Sequence, residues 1–190
     1  MTDLERSPST IGGVRYGAIP RFADSRGALR EAWRASAYDP DTVFVQANLS
    51  TSVAGVLRGL HVHQRQLDRW LVVDGRAFVA LVDIRPLLAA PDPAAARPIV
   101  ETRALDADEW VDIPAGVAHG FLAPTPMTLL YLVTNEYDGT DEHGFSWDDP
   151  SAAVPWPAVS ASPDGRPVLS ERDISNPSLR DLVERLRATS

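Results

Sequence analysis

Residues 55–75, GVLRGLHVHQRQLDRWLVVDG, decide how the chain is read. The stretch begins strand-like, tightens at Gly59, places His61 and His63 on either side of one residue, and returns to an apolar run at 70–73. In a strand, residues two apart point to the same face. The two imidazoles are therefore predicted to face one cavity, with Arg58 close by. Two convergent histidines and an arginine on sheet walls suit an anion, a metal ion or proton transfer. The rest of the chain reads as the box built around that wall.

Composition bounds the options. A chain of 190 residues is long enough for one domain with a real core, and it is read as a single unit over 1–190 with a loose arm at 1–10. The start is polar and acidic, and no apolar run approaches the roughly 20 residues of a membrane helix. A cytoplasmic protein with no membrane partner is expected. There is no cysteine, hence no disulfide framework, no Cys-ligated zinc and no thiol nucleophile. A formal charge of −8 argues against a nucleic-acid partner, which needs a basic face, but leaves room for one small phosphorylated ligand held by a few arginines. All 18 basic residues are arginine, which removes Schiff-base and P-loop chemistry.

Outward from the central stretch, residues 14–19 suggest a short strand ended by Pro20, followed by an arginine-rich turn, RFADSRG, at 21–27. Residues 42–50, TVFVQANLS, alternate as a strand with Gln46 and Asn48 on one face; that face is either a solvent-facing edge or part of a site. Residues 76–84 are too continuously apolar for a one-sided strand and predict burial on both faces. The Pro/Ala-rich 86–98 reads as a surface loop, and further strands are expected at 99–104, 110–113 and 127–134. PAGVAHGF at 114–121 is a turn that delivers His119 at the start of a strand. Residues 138–168 lack periodicity and suggest an irregular lid. Over 176–188 a helix is expected, with Asn176 as cap, Pro177 at its first position and a stripe of Leu179, Leu182, Val183 and Leu186. Many short strands and one terminal helix give an all-β fold class, an antiparallel jelly-roll barrel or sandwich with a short C-terminal α-helix.

Two constellations carry chemistry. In the first, Gly55, His61, His63, Asp68 and Gly75, with Pro114, Gly116 and His119, fall at the spacing of the general cupin metal pattern, with Asp68 in place of the usual glutamate. Three imidazoles and a carboxylate suit one divalent metal ion with open positions for substrate; the same residues also suit hydrogen bonding inside a polar barrel without metal.

The second constellation is an ordered series: FADSRG at 22–27, QANLS at 46–50, RGLH at 58–61, VDIR at 82–85, IPAGVAHGF at 113–121, Tyr131 and Tyr137, WDDP at 147–150, WP at 156–157 and SERD at 170–173. Together these resemble the dTDP-4-dehydrorhamnose 3,5-epimerase family, sugar-nucleotide epimerases with a cupin-type jelly roll, over residues 20–180. The resemblance implies epimerisation at C3 and C5 of a dTDP-4-keto-6-deoxyhexose without a cofactor. A base removes a proton made acidic by the 4-keto group, an enolate forms, and an acid returns a proton to the other face. It implies His61 as base, Asp173 as its partner and Tyr131 as acid, with Tyr137 beside the sugar. Arg26 and Arg58 would hold the diphosphate, Phe22 would stack on the thymine, and Gln46, Asn48 and His119 would contact the substrate. A homodimer that exchanges strands is implied as well.

One departure matters. The family places an enolate-stabilising lysine where Asp68 stands, and a glutamine where His63 stands; these two changes complete the metal pattern. Three readings follow: a cofactor-free epimerase acting at one or two carbons, a metal-dependent isomerase or oxygenase with ligands His61, His63, Asp68 and His119, and a sugar-nucleotide-binding protein without turnover.

Overall fold

A computed structural model describes residues 8–159, 162 and 165–189. The short apolar runs, bounded by turn-forming residues, pair into two five-stranded antiparallel sheets. One sheet has the order β1 (Arg15–Ala18), β9 (Glu109–Ile113), β6 (Asp68–Asp74), β11 (Met127–Val133) and β4 (Gln46–Ser52). The other has β12 (His143–Gly144), β5 (Leu57–Val62), β10 (Val117–Leu122), β7 (Arg76–Asp83) and β8 (Ile99–Asp106). Neighbours in each sheet are mostly distant in sequence, as in the jelly roll that the strand pattern predicts.

The core lies in two layers. Between the sheets, Val72, Val79, Leu81, Val111, Phe121 and Leu129 are buried together. Behind the second sheet, Leu60, Ala80, Val82 and Phe145 pack against helix α3 (Leu179–Ala188). Strand β7 thus sends Val79 and Leu81 into one layer and Ala80 and Val82 into the other, which accounts for its unbroken apolar sequence. The helix contributes Leu179, Leu182, Val183 and Leu186, all buried, each worth roughly 1.5–3 kcal/mol relative to exposure.

Several local expectations are corrected. The helix is capped by Ser178, whose hydroxyl accepts the Asp181 N–H, so Asn176 and Pro177 precede it. The acidic partner three residues on made Ser178 the better cap. The expected loop 86–98 instead contains most of a short helix, α1 (Arg85–Ala89), with Pro86 in its first turn and Leu87 buried, and a 3-10 turn at Pro93–Ala95. The segment 21–27 is no simple turn: β2 (Arg21–Asp24) and β3 (Gly27–Arg30) form an exposed hairpin. Of the irregular 138–168, residues 143–144 add strand β12 beside β5, and residues 160, 161, 163 and 164 lie outside the described residues.

Glycine decides the geometry at one crossing. Gly59 has φ +115°, and a Cβ there would stand 2.7 Å from both the Gly120 Cα and the His119 carbonyl oxygen. A Cβ on Gly120 would stand 2.8 Å from the Arg58 carbonyl oxygen. The two bare backbones let β5 and β10 close up where His61 and His119 sit opposite each other in register.

Candidate active site

A cavity of about 500 Å³ lies between the sheets, within the usual range for a small-molecule site of roughly 300–1,000 Å³. His61 enters it from β5. Its Nε2 meets Asp173 Oδ1 at 2.7 Å. Asp173 belongs to the short helix α2 (Glu171–Ile174), capped by Ser170. The Ser170 hydroxyl accepts the Asp173 N–H at 3.1 Å and donates to Asp173 Oδ2 at 2.9 Å. The two carboxylate oxygens therefore divide between imidazole and hydroxyl, and the geometry of the pair is fixed from both sides. Burial alone would raise the Asp173 carboxyl, but the His61 hydrogen bond and charge, with Ser170 and Arg172, hold it below its ordinary value. An ionised Asp173 keeps hydrogen on Nε2 of a neutral His61, which leaves the Nδ1 lone pair free. Glu142 Oε1 stands 4.0 Å from that nitrogen, and Glu142 is itself held by Arg172 at 2.7 Å.

Tyr131 stands on the facing sheet, in β11, in register with Asn48 and Trp70. Burial, then the Asp68 and Glu142 carboxylates, push its phenol above the ordinary tyrosine range, with Arg58 opposing. It is a protonated acid at neutral pH. Strand β11 ends at Val133, four residues short of Tyr137. Tyr137 still reaches the rim, where its N–H donates to Gln46 Oε1 at 2.9 Å. Gln46 in turn donates to Asn48 Oδ1 at 3.0 Å. The choice between edge and site at β4 is resolved: Gln46, Asn48 and Ser50 line the cavity, while Val43, Val45 and Leu49 are exposed. Arg58 also lines the cavity, donating to Ser52 Oγ and the Thr51 carbonyl, both at 3.1 Å.

Deeper in the cavity, His63, Asp68 and His119 each place a ligating atom within 4.8 Å of the others. His61, counted as a fourth ligand from its spacing, is engaged by Asp173 instead and is not in that group. Burial pushes the His119 imidazole down to about 4, so its 3.8 Å approach to Asp68 Oδ2 is not an ion pair at neutral pH. Asp68 accepts from Gln66 Nε2 at 2.6 Å and from Trp70 Nε1 at 3.2 Å. Arg69, one residue on, points to the other face of the sheet, as alternation requires. It bonds Asp112 at 3.2 Å, hydrogen-bonds Tyr38 and lies 3.9 Å over the Trp110 ring, so it does not supply a cation beside Asp68.

Phe22 and Arg26 are not brought to the cavity by this chain alone. Phe22 is 62% exposed on the hairpin, and Arg26 is paired with Asp24 at 2.6 Å. Polar and aromatic lining residues assigned no role from the sequence include Glu142, Gln66, Trp70 and Asn135, with Ser170 and Arg172 present only as members of the SERD motif. Ser170 carried a further signal, as a serine three residues before Asp173 at a helix start.

A lone-pair imidazole backed by a carboxylate on one wall of the cavity, with a protonated phenol on the facing sheet, can take a proton from one face of a carbon acid and return one to the other. Fold and site together define the class: a jelly-roll isomerase of the racemase and epimerase type. The family model described as dTDP-4-dehydrorhamnose 3,5-epimerase matches residues 8–181, and the chain belongs to this family. It is 33% identical over 181 residues to the dTDP-4-dehydrorhamnose 3,5-epimerase of Sinorhizobium fredii, covering 91% of this chain and 88% of that one. It is also 33% identical over 153 residues to a spore coat polysaccharide biosynthesis protein of Bacillus subtilis, covering 77% and 96%. Among solved structures, a 4-keto-6-deoxy sugar epimerase from the novobiocin biosynthetic gene cluster of Streptomyces spheroides superposes with a TM-score of 0.78 at 32% identity, covering 95% of this chain and 89% of that one. A 3'-monoepimerase from Streptomyces bikiniensis in complex with dTDP-quinovose gives 0.78 at 30% identity, covering 94% and 89%.

Proposed function

We propose that this protein epimerises a dTDP-4-keto-6-deoxyhexose at C3, at C5 or at both. The observation that carries the reading is the His61–Asp173 pair at 2.7 Å on one wall of a cavity whose other wall presents the protonated phenol of Tyr131. His61 Nδ1 takes the proton from the carbon beside the ketone. Asp173, buried and bonded to Nε2, stabilises the imidazolium that results. The C–H electron pair becomes the enolate, and Tyr131 gives its proton to the same carbon from the opposite face. These proton transfers use only the chain's own groups, and epimerases of this type are generally cofactor-independent. Arg58 is assigned to the diphosphate, Gln46 and Asn48 to polar contacts with the ligand, Tyr137 to the rim beside the sugar and His119 to the cavity floor.

The active form is proposed to be a homodimer. Strand β4 ends the first sheet; Leu49 on it and Val43, Val45 and Val53 in the residues flanking it are each 48–70% exposed. An apolar edge of that kind is a template for pairing with a second copy. In such a dimer the hairpin β2–β3 would offer Phe22 and Arg26 to the partner's cavity, for the thymine and the diphosphate. We place the protein in the cytoplasm, read it as one domain, and assign 138–168 the role of a lid that supplies Glu142. No helix among the described residues is long and apolar enough to cross a membrane.

The test is product configuration. The protein is incubated with dTDP-4-keto-6-deoxyglucose, the ketone is reduced with borohydride, and the sugars are assigned by NMR. Inversion at C3 or C5 is expected; recovery of only the starting configuration refutes the reading.

A further inference from the structure

The proton transfers leave one demand unmet. Removing a proton beside a ketone loads negative charge on the carbonyl oxygen, and an electrophile at that oxygen lowers the barrier. The chain has no lysine, Arg172 is occupied by Glu142, and Arg69 is turned away onto Asp112 and Trp110. In their place the inner cavity holds a third carboxylate, Asp68, 3% exposed, which by itself would repel an enolate.

The neighbours of Asp68 remove the contradiction. His63 Nδ1 lies 2.6 Å from the Asp141 carbonyl oxygen, and His119 Nδ1 lies 3.1 Å from that of Val117. A carbonyl oxygen only accepts, so each Nδ1 carries hydrogen and each Nε2 keeps a lone pair. Fixing a histidine through a backbone carbonyl on its far nitrogen is the usual support of a metal-binding imidazole. Asp141 reinforces the first of these supports. Its own carboxylate accepts the N–H groups of Gln64 at 2.8 Å and Arg65 at 3.0 Å, which pins the loop that carries His63. Asp68 is oriented as firmly, with Gln66 on one oxygen and Trp70 on the other. Trp70 and Phe121 border the group as an apolar wall, with the Trp70 ring edge-on to His119 at 5.0 Å and to Phe121 at 5.6 Å.

We propose that His63, Asp68 and His119 form a binding site for one divalent first-row transition-metal ion. Two imidazoles and one carboxylate suit zinc, iron(II) or manganese(II), and they leave coordination positions open toward the cavity. Ligand atoms on an ion with bonds of about 2.1 Å stand roughly 3.0–3.4 Å apart. His119 Nε2 and Asp68 Oδ2, at 3.8 Å, close to that spacing with small side-chain rotations. The ion offsets the charge of Asp68, and its open positions accept a carbonyl oxygen. Resting on the epimerase reading, a bound ion would supply the missing electrophile for the oxygen that takes up charge when His61 removes the proton, while Tyr131 protonates the carbon. No oxidation is involved.

The test is metal binding without substrate. Untagged protein is stripped with EDTA, and cobalt(II) and zinc(II) are titrated by visible absorption and calorimetry. One equivalent is expected at micromolar affinity or tighter. Asp68→Asn and His63→Gln should each weaken it by at least about 100-fold, the upper end of what even a supporting residue costs, while His61→Asn retains it. His63 is only half buried, so its variant serves if Asp68→Asn fails to fold, as circular dichroism would reveal. No binding, binding indifferent to both substitutions, or binding lost equally in His61→Asn overturns the proposal. The function reading fails separately: a metal-loaded protein that inverts no sugar overturns that reading alone, and EDTA-resistant epimerisation by metal-free protein overturns this one alone.

Discussion

Replacing Asp173 by asparagine isolates the contribution of charge to the base. The amide preserves the shape, an oxygen acceptor toward His61 Nε2 and a polar partner for Ser170, but removes the negative charge 2.7 Å from the imidazole. Both groups are shielded, with side-chain exposures of 22% for His61 and 5% for Asp173, so solvent screening discounts the effect little. A hydrogen bond to a charged group is worth about 1.5–3 kcal/mol. If the imidazolium is nearly formed in the transition state, its loss slows proton abstraction by about 10- to 160-fold. The assay is deuterium wash-in from D2O at C3 and C5 of dTDP-4-keto-6-deoxyglucose, with dTDP affinity measured in parallel. Exchange should fall while nucleotide binding holds, because Asp173 bonds His61 and Ser170 and is assigned no contact with the nucleotide. A folded variant that exchanges within about threefold of the parent would refute the role given to Asp173.

Because the Asp173 carboxyl is held below its ordinary value of 3.8, it contributes stability above that pH and loses it as pH falls through the native value. Asp173→Asn should therefore flatten the acid-side slope of the urea midpoint below about pH 4. Tyr131→Phe removes the acid but keeps the base, so deuterium should still enter the sugar while inversion drops by about 100-fold or more, read by NMR. Gly59→Ala forces a Cβ to 2.7 Å from two backbone atoms and should cost about 2–4 kcal/mol, a fall of about 4–16 °C in Tm. Leu49→Arg, on the outward side of β4 at 70% exposure, should convert the proposed dimer to monomer in light scattering and leave monomer stability within about 0.5 kcal/mol.

The barrel was legible where the sequence period was strong. The apolar continuity of 76–84 foretold a strand buried on both faces, and the His-x-His spacing foretold a histidine wall. The glycines at 59 and 120 matter through a crossing that no local pattern reports. Local chemistry misled where two signals competed: Pro177 looked like a first helical residue, yet the Ser178–Asp181 pair set the cap. At β4 the usual rule was inverted. Gln46 and Asn48 face inward because the interior there is a polar cavity, and Val45 and Leu49 face outward. The pairing of Glu142 with Arg172 was invisible in the sequence because the two meet across 30 positions, in segments without periodicity. Phe22 and Arg26 were legible only by resemblance, and within one chain they remain on an exposed hairpin. The spacing of the cupin pattern located His63, Asp68 and His119 correctly as neighbours. It could not foresee that Asp173, 112 positions away, would claim His61.

Removal of a carbon-bound proton from a 4-keto sugar nucleotide by His61 is the step on which the proposed function rests. It is tested most directly by comparing deuterium wash-in from D2O into dTDP-4-keto-6-deoxyglucose by the wild-type protein and by His61→Asn. Label at C3 or C5 with the wild type, reduced by about 100- to 10,000-fold in the variant as expected for loss of a general base, is the predicted result. Equal exchange by both proteins would contradict the account.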